Sequence, residues 1–286
     1  MRHHYVPQFL LAPWARDNAD KKIEVFRLDI AGLPSSRRTP KHTGFEEDLY
    51  ALTVDKVAGM EKQTIEKQFL MRIDNNGARI RNKLENDGLK SLTPKDMADW
   101  ARFVMSLRIR QPNIITSLQA DATEHLKEML NEQPEEYEEL ISDDAPKTLE
   151  EWTKQQFPGL IENIGLSFFH ELVDNPDIGN KILNMRWWIW DFSDSPYELL
   201  LSDNPCIFTS GIDDPNCIFA LPISPRKVFL ATQSDNVAQI LRQQSTRDLS
   251  IRINESSVSQ SQTRIFARQQ FPVRSFIENR LSTNKR

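Results

Sequence analysis

Imidazole, carboxylate and guanidinium side chains cluster in four short stretches whose spacing suits a reactive or ligand-binding site. The first is HHYVPQ at residues 3–8. In an extended segment neighbouring side chains point to opposite faces, so His3, Tyr5 and Pro7 line one face and His4, Val6 and Gln8 the other. One histidine can then face a site, as a metal ligand or general base, while its neighbour does not. The second stretch, LLLSDNPCIF at 199–208, delivers Asp203 and Asn204 to a stiff turn before Pro205. A carboxylate so held is well placed to bind a cation or accept a proton. Ser, Asp and Asn ahead of proline are also ordinary turn residues that cap their own backbone, and that reading stands beside the first. IEKQF (65–69) and FVMSLRIRQP (103–112) add Glu66, Arg108 and Arg110 on or beside the apolar stripes of helices. Charges there are either paired or aimed into a cleft. Arg110 stands just before Pro112, where a helix must end or kink, and an irregular helix end would turn it inward.

If these stretches converge, His4 (or His3) and Asp203, with Glu66, would hold a divalent metal ion or act as a base and acid pair. Arg108 or Arg110 would then neutralise a phosphate. The activity expected is metal-dependent phosphodiester hydrolysis, by a hydrolase or nuclease with a defence or toxin role. The alternative is binding without turnover. His4, Arg108 and Asp203 would then recognise a small anionic or nucleotide-like ligand, with His3, Tyr5, Gln8, Arg110 and Asn204 as further binding residues. A third reading is structural: histidine and aspartate lock the N-terminal strand onto a sheet, each worth about 1–3 kcal/mol as a buried polar partner. No glycine-rich phosphate loop, C-x-x-C pair, G-x-S-x-G elbow or H-E-x-x-H helix is present.

The net charge of −5 argues against a protein that coats nucleic acid. Its distribution is uneven, with twelve acidic and two basic residues from Asp121 to Glu151, and eleven basic and four acidic from Arg226 to Arg286. Such asymmetry marks either an interaction surface, nucleic acid included, or two segments that screen one another within the fold or across a homodimer. No run approaches the roughly 18 apolar residues of a membrane helix, and the opening lacks the order of a signal peptide. With Cys206 and Cys217 alone, a disulfide framework is not expected and a cytoplasmic address is.

The elements that must position these residues point to an α+β fold. Residues 1–53 read as extended arm, strand (KIEVFRLDI) and turn-rich loop (AGLPSSRRTPKHTG). Residues 54–185 form a helical middle with an acidic insert near 131–151. A helix is expected from Val54 to Gly88, and a second is capped by Thr93, with Pro94 at its first position and Asp96 in its first turn. Further helices follow at 114–131, 149–157 and 160–172. Residues 186–286 turn to β: RWWIWDF, YELLLSD, CIFALPIS and KVFLATQ form an antiparallel meander, and RIFAR a last strand. Short helices are expected after Ser234 and from Asn254. The N-terminal strand is expected to join the C-terminal sheet, because its backbone groups need partners, giving one intertwined domain over 1–286.

HHYVPQFLL, EDLYAL (Glu47–Leu52), IEKQF, FVMSLRIRQP, LLLSDNPCIF and FALPISP (Phe219–Pro225), in that order and spacing along nearly the whole chain, resemble the bacterial and fungal domain-of-unknown-function family numbered 4238. The paired HHYVPQ and SDNP motifs are the specific part. What the resemblance implies is positional: the residues singled out above on chemical grounds are those that carry the family's motifs. The family tends to read Gln…Arg-Thr-Pro after the central helix, and Leu107–Pro112 departs from that pattern here.

Overall fold

The computed structural model describes residues 1–283 apart from 17, 58, 133–145 and 147, so most of the acidic insert lies outside the described residues. In chain order, strand β1 (Arg2–His4) leads through Tyr5–Pro7 into helix α1 (Gln8–Ala15). Strands β2 (Ile23–Arg27), β3 (Ser35–Arg38) and β4 (Phe45–Glu47) precede a small hairpin, β5 (Lys56–Val57) and β6 (Met60–Glu61). A π-helical turn (Ile65–Leu70) opens α2 (Met71–Asn86), followed by α3 (Pro94–Ile109) and α4 (Pro112–Asn131). Then come α5 (Leu149–Gln156), α6 (Leu160–Ser167), α7 (Phe169–Val173) and α8 (Pro176–Asn184). The last part runs β7 (Arg186–Asp191), β8 (Leu201–Ser202), β9 (Ile207–Phe208), β10 (Ile218–Ser224) and β11 (Lys227–Thr232). It ends with α9 (Asp235–Arg242), α10 (Thr246–Gln260), β12 (Arg264–Ala267) and α11 (Val273–Thr283). The fold is α+β.

Several boundaries differ from the sequence reading. The N-terminal strand is only three residues long and pairs with β4, not with the C-terminal sheet. Pro7 ends its extended run with φ −59° and ψ 143°, and the apolar residues beyond it form α1, burying Leu10, Leu11 and Trp14. The helix expected from Val54 begins only at Ile65, because Gly59, at φ +80°, turns the chain into the β5–β6 hairpin. Residues 160–172 are two helices meeting at Phe168. The helix expected from Asn254 starts eight residues earlier, at Thr246, where the Ser245 hydroxyl accepts the Asp248 N–H at 3.0 Å. Cys206 and Cys217 are both free thiols.

The chain forms two compact units, each assembled from separate stretches. One comprises Met1–His3, Glu46–Arg72 and Ile109–Asp174; the other comprises His4–Phe45, Ile73–Arg108 and Asn175–Arg286. The second unit holds two four-stranded antiparallel sheets, in the orders β7-β11-β10-β9 and β3-β2-β12-β8. The first sheet packs Val228, Leu230 and Ala220 against Val237 and Leu241 of α9 and Leu249 and Ile253 of α10. The second mixes strands from both ends of the sequence. Phe26, Ile265 and Ala267 on one of its faces pack against Val258 of α10 and Ile277 of α11. Alternation then puts Val25, Arg27, Arg264, Ser36 and Arg38 on the opposite face.

The expected start of α3 is present as a reciprocal capping box. The Thr93 hydroxyl accepts the Asp96 N–H at 3.1 Å, and Asp96 accepts the Thr93 N–H at 3.0 Å. Asp96 is buried and also accepts from Lys83 at 2.9 Å and from Arg79, so the Lys83 ammonium and these donors hold its carboxyl well below the usual carboxylate range. Asp96→Ala should lower unfolding stability by about 2 kcal/mol, the sum of a lost cap and an orphaned charge partner. Because the folded-state pKa is depressed, this contribution is present above the ordinary carboxylate pKa and vanishes as pH falls toward the folded value. Urea titrations of both proteins at neutral pH and at strongly acid pH check the magnitude and the sign.

Candidate functional site

In the first unit, His3 is fully buried and stacks on the Tyr50 ring, with centroids 5.2 Å apart and planes inclined by 10°. Its Nδ1 accepts the Tyr50 backbone N–H at 2.9 Å, so the ring proton resides on Nε2 and is donated to Gln63 Oε1 at 2.6 Å. Gln63 Nε2 in turn donates to Asp48 at 3.0 Å. The Tyr50 hydroxyl donates to the Arg110 carbonyl at 2.8 Å, and the Arg110 side chain is fully buried where α3 gives way to α4. Glu66 lies half-buried in the π-helical turn.

Burial pushes the His3 imidazole below its ordinary value of 6.5. Protonation would also set a second donor against the Tyr50 N–H. Stability should therefore be complete above pH 6.5 and fall as pH drops toward the folded value, by at most about 1.4 kcal/mol per pH unit. His3→Asn keeps an acceptor for the Tyr50 N–H and removes the titration. The difference between the two proteins' urea midpoints across pH 5–8 isolates His3 from the other titrating groups.

In the second unit, Asp203 is nearly fully buried, and both its oxygens are occupied. Oδ1 accepts from Ser261 Oγ at 2.8 Å and the Gln262 N–H at 2.9 Å. Oδ2 accepts from the Thr263 N–H at 2.7 Å, Thr263 Oγ1 at 2.9 Å and the Arg264 N–H at 2.8 Å. Three consecutive N–H groups around one carboxylate form an anion nest, with the anion supplied by the chain itself. It fixes the turn between α10 and β12, and so the first residue of β12, Arg264. The backbone carbonyl of Asn204 accepts from Gln260 Nε2 at 2.7 Å, tying the same loop to the end of α10.

Arg264 is also where the N-terminal motif arrives, since its guanidinium donates to the Tyr5 hydroxyl, and Tyr5 is buried. The neighbours of Tyr5 act alongside it. The His4 ring lies 5.5 Å from the Phe45 ring, and the Val6 N–H donates to the Gly44 carbonyl at 3.1 Å. Gly44 has φ +66°, and a Cβ there would stand 3.1 Å from the Val6 carbonyl oxygen, so both conformation and proximity call for glycine.

Arg264, Gly44 and Phe45 are walls of one cleft of about 380 Å³, which Arg27, Arg38, His42, Ser35, Ser36 and Thr43 also line. Arg27 and Arg264 are direct cross-strand partners on β2 and β12. Like charges so placed repel. Asp29 holds the Arg27 guanidinium through bonds of 2.8 and 2.6 Å, but no carboxylate lines the cleft among the described residues. Arginine forks, serine and threonine hydroxyls and a histidine make an anion-binding inventory.

Of the residues expected to carry chemistry, His4, Tyr5, Gln8, Arg108, Asp203 and Asn204 belong to this unit, and His3, Glu66 and Arg110 to the other. Tyr5 and Asp203 meet through Arg264. Gln8 is exposed at the start of α1. Arg108 is exposed, with its guanidinium 5.4 Å from the centroid of the Phe208 ring. No group of three or more His, Cys, Asp or Glu side chains forms a metal-ligand cluster among the described residues. The sequence reading missed the cleft arginines. Its available signal was SSRRTPKH, a loop with four basic residues, three hydroxyls and no acid.

A family model described as "Protein of unknown function (DUF4238)" matches residues 2–271, and the chain belongs to that family. No curated protein and no solved structure matches the chain. No helix among the described residues is long and apolar enough to cross a membrane.

Proposed function

We propose that this chain binds a small phosphorylated ligand in the cleft between β2, β3 and the 42–45 segment, the phosphate engaging Arg264 and Arg27 with Arg38 at the rim. The observation that carries this reading is the cross-strand Arg27–Arg264 pair in a cleft without a lining carboxylate. An anion bridging the two guanidinium groups relieves their repulsion and gains charge-assisted hydrogen bonds. The cleft volume falls within the usual range for small-molecule sites. Two of the stretches singled out in the sequence serve it: HHYVPQ through His4, Tyr5 and Val6, and SDNP through Asp203.

Calorimetric titration with AMP and with adenosine tests the reading. AMP should bind with one site per chain and weaken as salt rises, while adenosine should fail to bind. Equal binding of the two, or none of either, overturns it. Assay of the same protein with bis(p-nitrophenyl) phosphate reads turnover, and cleavage lost in Arg264→Gln would make the cleft an active site for phosphodiester hydrolysis.

A further inference from the structure

The cleft on the β3-β2-β12 face is longer than one phosphate needs. Arg27 and Arg264 stand opposite each other on β2 and β12, whereas Arg38, on the same face, stands opposite Ile23. From Arg27 to Ile23 the strand runs about 13 Å. Arg38 is therefore a second cationic station, apart from the first. Its Nε donates to Ser36 Oγ at 3.3 Å, and its guanidinium has no carboxylate partner among the described residues. His42 also lines the cleft, with its ring held by a contact of 2.8 Å between Nδ1 and Thr39 Oγ1. The next residue, Thr43, is 6 % exposed and lines the cleft, and its hydroxyl hydrogen-bonds no described residue. That hydroxyl is ready to donate to a ligand oxygen. Between the two stations the sheet face is uncharged, with Val25 and Ser36 on it, and Ile30, Pro34 and Phe45 are further walls.

Resting on the phosphate reading of this cleft, we propose that its ligand carries two phosphate groups and is a nucleoside 3′,5′-bisphosphate. One phosphate sits on Arg27 and Arg264. The other is held by Arg38, with Thr43 and His42 as further hydrogen-bond partners. The nucleoside spans the uncharged stretch between them, against Val25 and the apolar walls. Two separate guanidinium stations in a cleft without a lining carboxylate select two anionic groups on one molecule. The volume of about 380 Å³ admits one nucleoside with its phosphates.

The test compares adenosine 3′,5′-bisphosphate with AMP in calorimetric titrations of the whole chain. The bisphosphate should bind with one site per chain and about tenfold or more tighter than AMP, as one added charge-assisted contact implies. Its affinity should also fall more steeply with salt than that of AMP. In Arg38→Gln the two ligands should bind alike, with equal salt dependence. Thr43→Val, which keeps the shape and removes the hydroxyl, should cut the preference several-fold. Each readout is a ratio of two ligands on one folded protein, so a loss of stability does not imitate it. AMP binding with a bisphosphate no tighter, or a preference that survives in Arg38→Gln, overturns this inference and leaves the single-phosphate reading standing. Binding of neither ligand overturns both.

Discussion

Asp203→Ala should lose about 3 kcal/mol or more of unfolding stability, the largest single effect expected in this chain. The substitution leaves the N–H groups of Gln262, Thr263 and Arg264 and the hydroxyls of Ser261 and Thr263 without the acceptor they share. It also frees the turn that starts β12, the strand between β2 and β8 in its sheet. Asp203→Asn keeps one carbonyl oxygen but puts an amide donor against N–H groups that also donate, so its loss should be smaller yet still clear. Urea unfolding followed by circular dichroism measures both. A metal-ligand role makes a different prediction: in chelator the alanine protein would be as stable as wild type. Stability within about 0.5 kcal/mol of wild type would contradict the nest as the main work of this carboxylate.

Arg264→Gln should lower affinity for AMP by about 30-fold or more, since a bond between guanidinium and phosphate is worth roughly 2 kcal/mol or more in a partly desolvated cleft. Its effect on folding should be small. The Tyr5 hydroxyl loses a donor, but the cross-strand repulsion with Arg27 is relieved. The salt dependence of binding should flatten in this variant, because one charge contact is gone. Tyr5→Phe separates positioning from contact: affinity should fall several-fold while the salt dependence stays that of wild type. A wild-type affinity in folded Arg264→Gln would remove Arg264 from the site.

Much of the fold was legible because local and tertiary preferences agreed. Thr93, Pro94 and Asp96 marked the start of α3, and the short apolar and aromatic runs of β7, β10 and β11 became paired strands. The N-terminal motif misled because FLLAPWA is too short for its periodicity to separate strand from helix. Arg27, Arg38 and Arg264 lie in three different strands, one of them more than 200 residues from the others. Only the β2–β12 and β2–β3 register puts them on one face, and register is a tertiary fact. HHYVPQ and SDNP drew notice for their histidine and aspartate, yet in the second unit their residues mainly hold the walls of a cleft whose charges lie elsewhere.

A crystal structure of the chain grown with AMP tests the central claim most directly. The phosphate should lie within hydrogen-bond reach of the Arg264 and Arg27 guanidinium groups, with Asp203 still engaged by residues 261–264. AMP bound away from those arginines, or a cation seated on Asp203 in place of its five donors, would contradict it.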